Sequence, residues 1–337
     1  MAQSTPQLAF TEQFSLKELS KNEFETVYRP QRMGNPLNIA YGGYALGTAC
    51  KSACLSVPEG YHLYSMLGNY LGPSYTDRAL RASVRVIRQT RTFATRQVEV
   101  SQIRDDGEKR VCLIAIADFQ VKEKAVLLDY SRTPSESYPN WKDCPTQEEA
   151  FQKLLGEGKI TQPLLDAHSK SFNLMPNIFD QRAVPSGIFA QNLLGMAKHL
   201  PHSQDDRPLP KRTTADWFRC KQSLSSTADQ ITNLAFLIDG AIAFAPLSFN
   251  HLFFDDVAAV SSLDFALRIF QNGKEDAVEG GLDLNKWHLR EMSTTAASEG
   301  RSYGESWVWD EQGRAVACMS QQSILRPKAQ RKEKGKL

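Results

Sequence analysis

Long apolar runs are missing from this chain: no stretch approaches the roughly 18 residues that a membrane-spanning helix needs. The first residues, Met1 to Gln7, carry no charged-then-apolar leader. Both absences predict a soluble intracellular protein. Paired cysteines are missing too. The six, at 50, 54, 112, 144, 220 and 318, include no Cys-x-x-Cys and sit mostly in apolar or strand-like surroundings, so they read as reduced core residues and not as a disulfide framework. The six histidines (62, 168, 199, 202, 251 and 288) form no His-Glu-x-x-His and no tight group in sequence, so no zinc motif, metal or cofactor is expected. A dominant charge is also lacking. Lys and Arg number 40 against 38 Asp and Glu, for a net charge of +2, and the two signs are interspersed, which argues against a nucleic-acid binder. What remains is ordinary globular material, 337 residues and 41% hydrophobic, long enough for two domains or two halves of one unit.

The most informative stretch is residues 227–247. Ile231, Leu234, Ala235, Ile238 and Ile242 recur at helical spacing, and Thr227 with Gln230 has the spacing of a capping box, so a helix is expected to start at Thr227. Asp239 stands inside this apolar run. An ionised carboxylate there costs several kcal/mol to desolvate unless it is hydrogen-bonded or paired, and the nearest cation in sequence, Lys221, lies well outside the run. Two readings stand on the residues alone: a functional carboxylate, or a helix-ending turn with Gly240 left-handed and Asp239 bonding its own backbone.

Earlier in the chain a strand is expected at 23–29, then a helix over 40–55. Ala45, Ala49 and Ala53 give that helix a small-residue face that can lie close to another backbone. Gly42-Gly43 at its start exposes N–H groups at the positive end of the helix dipole, where an oxygen ligand could bind; the glycines could equally serve only a tight turn. Four strands follow, at 61–71, 79–88, 92–102 and 110–120, the last two joined by the hairpin turn Arg104-Asp105-Asp106-Gly107. Residues 121–210 hold many prolines and read as a long linker with short helices near 147–155 and 188–199. From Arg212 the first pattern returns: a strand at 213–223, the helix from Thr227, and strands at 257–270, 287–297, 303–309 and 315–325. Asp106-Gly107 before Val111–Ala115 matches Gln312-Gly313 before Ala315–Met319. This is a diverged internal repeat of a helix wrapped by an antiparallel sheet. At equal distance after the turn glycine the first copy has Ala115 and the second has Gln321, and only the second helix carries a central Asp. Polar groups at core positions therefore concentrate in the second copy, as one site per repeat pair would require.

With these residues in place the chain resembles the acyl-CoA thioesterases of the thioesterase II type. The resemblance rests on Gly42-Gly43, residues 92–98 (Thr-Phe-Ala-Thr-Arg-Gln-Val) and Ala117-Asp118-Phe119-Gln120 in the first half. In the second it rests on Asp239 followed by Pro246-Leu247, on Ser262-Leu263-Asp264, on Leu284-Asn285-Lys286-Trp287 and on residues 313–321, ending at Gln321. It implies an α+β double hotdog: two repeats, each a long helix wrapped by a curved antiparallel sheet. The implied organisation is an N-terminal hotdog domain at 1–120, a linker at 121–210, a C-terminal hotdog domain at 211–326 and a basic tail at 327–337. It further implies hydrolysis of acyl-CoA to free acid and CoA with Asp239 as base, Ser262 in the family's Thr position and Gln321 as the amide that orients water, without metal or covalent intermediate. Gly42, Gly43 and Tyr44 are implied as substrate-binding. The chain departs from bacterial relatives in having Tyr44 where a Gln is common, and Ser65 to Tyr70 where they carry a histidine-bearing strand.

Other readings compete. Gly300-Arg301-Ser302-Tyr303-Gly304 fits Gly-x-Ser-x-Gly, but an alternating strand follows where that nucleophile motif requires a helix. Asn35-Pro36-Leu37 is similar to an enoyl-CoA hydratase motif, yet Asn38 and Met33 replace its acid/base pair. Release of an acyl or polyketide chain from a carrier protein, or a non-catalytic acyl-binding hotdog, remain alternatives of another class. Exposed sheet edges allow pairing between copies as a homo-oligomer. The last tripeptide, Gly335-Lys336-Leu337, is similar to a peroxisomal address with Gly for Ser, so a peroxisomal or a cytoplasmic location is expected.

Overall fold

The computed structural model describes residues 8–35, 37–123, 127–271 and 282–328. The end of the basic tail, including Gly335-Lys336-Leu337, lies outside the described residues, as does Pro36. The six cysteines are all unpaired and four are buried. Among the described residues no helix is long and apolar enough to cross a membrane.

The first half contributes α1 (Phe10–Gln13), β1 (Leu16–Ser20), β2 (Glu23–Thr26), α2 (Gly43–Leu55), β3 (Tyr61–Tyr70), β4 (Arg81–Gln89), β5 (Phe93–Ile103) and β6 (Lys109–Val121). The middle segment forms α3 (Gln147–Gly156), α4 (Gln162–Phe172), α5 (Leu174–Ile178), β7 (Phe179–Ala183) and α6 (Ile188–Gln191). The second half contains β8 (Thr213–Cys220), α7 (Thr227–Ile238), α8 (Ala245–Ser248), β9 (Val257–Ser262), β10 (Asp264–Ile269), β11 (His288–Ser298), β12 (Arg301–Asp310) and β13 (Ala315–Pro327). The strands join one antiparallel sheet in the order β1-β2-β4-β5-β6-β3-β10-β13-β12-β11-β8-β7, with β9 also on β13. The repeat read from sequence is present. Gly107 and Gly313 both take positive φ, 82° and 78°, at the two matching hairpins β5–β6 and β12–β13.

The core sits between sheet and helices. Strand alternation turns Ala94, Val98 and Val100 of β5 inward, and α7 is buried from Ile231 to Ile238, the polar Thr232 and Asn233 included. α2 lies against α7 so closely that a Cβ on Gly43 would stand 2.8 Å from the Phe236 carbonyl oxygen. The small face of α2 serves this approach, with Ala45, Ala49 and Ala53 all buried.

Three expectations are corrected. The helix does start at Thr227, but the capping box expected from Thr227 and Gln230 is not formed: Ser226 is the N-cap, its Oγ accepting from the Asp229 N–H at 3.0 Å, while the Gln230 side chain donates to the Leu224 carbonyl. The single strand expected at 257–270 is two, parted at Leu263. The segment read as a linker with two short helices carries three further elements, α4, α5 and β7, and β7 extends the sheet by pairing with β8. The prolines read as breakers include Pro163, which sits at the start of α4, where a missing N–H costs nothing. Ser302, the decoy nucleophile, is buried within β12 and no helix follows it.

Candidate active site

α7 ends at Asp239, its C-cap residue. The turn reading of this residue is half right. The helix does stop here, but the left-handed residue is Ala241 (φ 76°), not Gly240, and the Asp239 side chain makes tertiary hydrogen bonds. Its Oδ1 accepts from Gln321 Nε2 at 2.6 Å and from the Tyr70 hydroxyl at 2.8 Å. Gln321 Oε1 in turn accepts from Ser262 Oγ at 3.1 Å. The three residues expected to act together are thus joined in one chain of hydrogen bonds, from the end of β9, through β13, to the end of α7.

The backbone explains the choice among neighbours. Leu263 donates its N–H to the Gln322 carbonyl and accepts at its own carbonyl from the Tyr70 N–H. This break between β9 and β10 seats Ser262 beside Gln321 and brings Tyr70 of the first half to the same spot. Gln321 is fully buried, whereas Gln322 is exposed and its N–H goes to Asp264 Oδ1.

Asp239 is only 6% exposed. Burial pushes its carboxyl up from 3.8 to about 6, against the hydrogen bonds from Tyr70 and Gln321 that favour the carboxylate. The hydroxyls of Tyr41 and Tyr70 are pushed well above the ordinary tyrosine value, first by burial and then by the Asp239 charge, so both remain protonated donors. Tyr41 also donates to the Phe236 carbonyl at 2.6 Å.

Asp239 and Ser262 open onto a cavity of about 280 Å³, with Tyr41, Gly42 and Tyr70 beside them. The remaining wall is mainly apolar, with Met33 and Ile39 from the first half, Phe151 and Phe172 from the middle segment, and Phe244 and Val260 from the second. Gln321 stands behind this wall. Asp239 Oδ2 lies 3.1 Å from where a Cβ on Gly42 would be, so glycine keeps that side of the carboxylate open. One ion pair borders the cavity: Arg290 grips Asp216 through Nε (2.9 Å) and Nη2 (3.1 Å), and its Nη1 donates to the Leu237 carbonyl at the end of α7.

Two domain models of one family match the sequence, the acyl-CoA thioesterase N-terminal domain over residues 29–120 and the acyl-CoA thioesterase C-terminal domain over residues 174–325. The chain belongs to the acyl-CoA thioesterase family. No curated protein matches it by sequence. Among solved structures the thioesterase-family chain is similar to an acyl-CoA thioesterase II TesB2 from Mycobacterium marinum (20% identity, TM-score 0.63, covering 95% of this chain and 98% of that one). It is similar to a putative thioesterase II from Thermobifida fusca (14%, TM-score 0.64, 95% and 98%) and to a hot dog fold protein of unknown function from Alicyclobacillus acidocaldarius (16%, TM-score 0.63, 95% and 98%). The fold of this family member is therefore the α+β double hotdog.

The substrate-binding expectation needs one correction. Gly42 borders the cavity, and Gly43 is the first residue of α2, behind it. Tyr44 does not reach the cavity: it is 3% exposed, its ring stacks on Phe14 at 5.4 Å, and its hydroxyl donates to Gln13 Oε1 at 2.6 Å. One residue along a helix turns the side chain by about 100°, so the residue after the pair faces the core. Sequence reasoning also missed Tyr41 and Tyr70. Tyr70 had a visible signal, since it closes the strand that departs from the histidine-bearing strand of relatives.

Proposed function

We propose that this protein hydrolyses acyl-CoA thioesters to the free carboxylic acid and CoA by attack of a water activated at Asp239. The observation that carries the reading is a buried carboxylate, raised to about 6 and tied to Gln321 and Ser262, on the wall of a mainly apolar cavity. A base with that pKa is mostly ionised at neutral pH yet strong enough to take a proton as water attacks.

Each hydrogen bond has a part. Gln321 Nε2 and the Tyr70 hydroxyl occupy Asp239 Oδ1 and hold the carboxylate plane, which leaves Oδ2 for the water. The Ser262 hydrogen is committed to Gln321 Oε1, so Ser262 offers the water only lone pairs. A water giving one hydrogen to Asp239 and the other to Ser262 turns its own lone pair to the thioester carbon. In the first turn of α2 the N–H groups of Tyr44, Ala45 and Leu46 are taken by the Tyr41 and Gly42 carbonyls, so the N–H groups of Gly42 and Gly43 are the ones that would meet charge on the carbonyl oxygen. When the C–S bond breaks, the proton held by Asp239 passes to the CoA sulfur and the carboxylate is restored.

Thiol release from a panel of acyl-CoAs of different length, for wild type and Asp239→Asn, tests this. Hydrolysis by the wild type and loss in a folded mutant are expected. Unchanged turnover in the mutant would remove Asp239 from the chemistry, and a wild type inactive on every acyl-CoA would move the reading to carrier-protein thioesters or to acyl binding without turnover.

A further inference from the structure

His202 and Asp205 stand three residues apart and His251 lies 46 residues beyond Asp205; they make no ligand motif in sequence, but the fold brings their ligand atoms within 4.8 Å of one another. We propose that these three side chains bind one divalent cation of the zinc class. This goes against the expectation from sequence that the chain holds no metal.

The geometry around His251 carries the argument. Its Nδ1 stands 3.1 Å from the Lys198 carbonyl oxygen. A carbonyl can only accept, so Nδ1 bears the hydrogen. In the neutral ring Nε2 then presents a lone pair, and it points at Asp205 Oδ1 from 2.6 Å. Two acceptors that close repel, so either a proton on Nε2, which makes the pair a His–Asp ion pair, or a metal ion lies between them, and the two exclude each other. A backbone carbonyl that fixes the far nitrogen of an imidazole is the usual outer partner of a metal-bound histidine. His202 supplies the third atom, with Nε2 at 3.1 Å from the same Oδ1 and its side chain fully buried. To ligate through Nε2 it gives up two long bonds, the 3.3 Å one that Nδ1 accepts from the Gln204 N–H and the 3.4 Å one from Nε2 to the Phe249 carbonyl.

The neighbouring charge does not compete for the carboxylate. Arg212 is 3.9 Å from Asp205 Oδ1, but its nitrogens donate to the backbone carbonyls of Arg207, Phe249 and Asp205. Bonds of about 2.0–2.1 Å set tetrahedral ligand atoms about 3.3 Å apart, so Asp205 and His251 need to part by less than about 1 Å, and the two imidazoles, stacked within 7° of parallel, need to turn until both Nε2 lone pairs face one ion. His251 also holds a left-handed backbone, φ 55°, a strain that tertiary contacts must support. Imidazole with carboxylate suits zinc better than calcium or magnesium. Side-chain exposures of 33% for His251 and 37% for Asp205 leave the site open to solvent for entry and for a water ligand. The cation would tie the end of the middle segment to the loop after α8, whose Phe254 borders the cavity.

The test uses the full chain, freed of metal with a chelator and titrated with Zn²⁺ alone by calorimetry and with Co²⁺ by visible absorption. One equivalent per chain is expected, with a Co²⁺ spectrum of nitrogen and oxygen ligands and no thiolate charge-transfer band, and with a thermal midpoint that rises on adding Zn²⁺. His251→Asn keeps a residue that tolerates the left-handed backbone; it and Asp205→Asn should each weaken binding at least about tenfold. The absence of saturable one-per-chain binding, equal affinity in both variants, or a thiolate band in the wild type would overturn the proposal. If the variants fail to fold, the wild-type spectrum and stoichiometry still decide it.

Discussion

At Asp239 burial sets both the chemistry and the stability of the protein. Its folded pKa, about 6, lies above the ordinary 3.8, so between those values the native state keeps a proton that the unfolded state has lost. That contribution is complete below about pH 4, declines as pH rises through 6, and is gone at neutral pH. A difference of about 2 units corresponds to about 3 kcal/mol. Asp239→Asn removes the ionisation and keeps an oxygen for Gln321 and Tyr70. Its melting temperature should exceed that of wild type near pH 7.5, and the gap should close as pH falls to 4, while kcat/KM drops by about 10²- to 10⁴-fold. A melting gap that does not change with pH would mean that Asp239 titrates normally. Wild-type kcat/KM should rise with pH through about 6 as the carboxylate ionises. Tyr70→Phe removes a hydrogen bond that favours the ionised form, so the acid limb of its pH–rate profile should move to higher pH, with a smaller loss of rate than in Asp239→Asn. A limb that stays in place would assign Tyr70 to packing alone.

At the scale of elements, the parts that follow local patterns were legible and the parts made by tertiary contact were not. α2 and α7 showed in their apolar and small-residue spacing, and the two glycine hairpins showed in their turn chemistry. The break at Leu263 had no local mark, because the demand for it comes from Gln322 on one side and Tyr70 on the other. For the same reason Ser262, Gln321 and Asp239 could be named from resemblance, while Tyr70, the donor from the opposite half, could not. Tyr44 was misplaced because adjacency in sequence was read as adjacency in the site. Two substitutions separate the ends of the helices. A Cβ at Gly43 would press on the Phe236 carbonyl and the Tyr41 ring, so Gly43→Ala should lower stability by about 1–3 kcal/mol and also slow turnover, since Tyr41 and the α2 start border the site. Ser226→Ala removes the N-cap of α7, about 18 Å of helix away from Asp239 at 1.5 Å per residue. It should lower stability by about 1 kcal/mol in denaturant melts and leave kcat/KM unchanged.

In the whole molecule the halves are not separate machines that happen to touch. β3 and β10 pair across the middle of the sheet from Asp264↔Asn69 to Arg268↔Ser65, α2 packs on α7, and Lys51 reaches Asp229 at 2.9 Å near the far ends of those two antiparallel helices. The buried carboxylate of Asp239 belongs to one half and its Tyr70 donor and Gly42 neighbour to the other. The middle segment closes the cavity through Phe151 and Phe172 and caps the sheet edge with β7. A fragment of residues 211–328 expressed alone would therefore expose the α7 face that α2 covers and the β10 edge that β3 pairs, a combination that favours aggregation. It should be insoluble or inactive even though it holds Asp239, Ser262 and Gln321. Co-expression with residues 1–210 should restore soluble protein and acyl-CoA hydrolysis, because the contacts to be remade are the paired strand edge and the helix face. If the fragment alone hydrolysed acyl-CoA at the full rate, the contribution of the first half to the site would be refuted. Purification of an active complex from the two pieces would show instead that the shared sheet, and not the continuity of the chain, assembles the site.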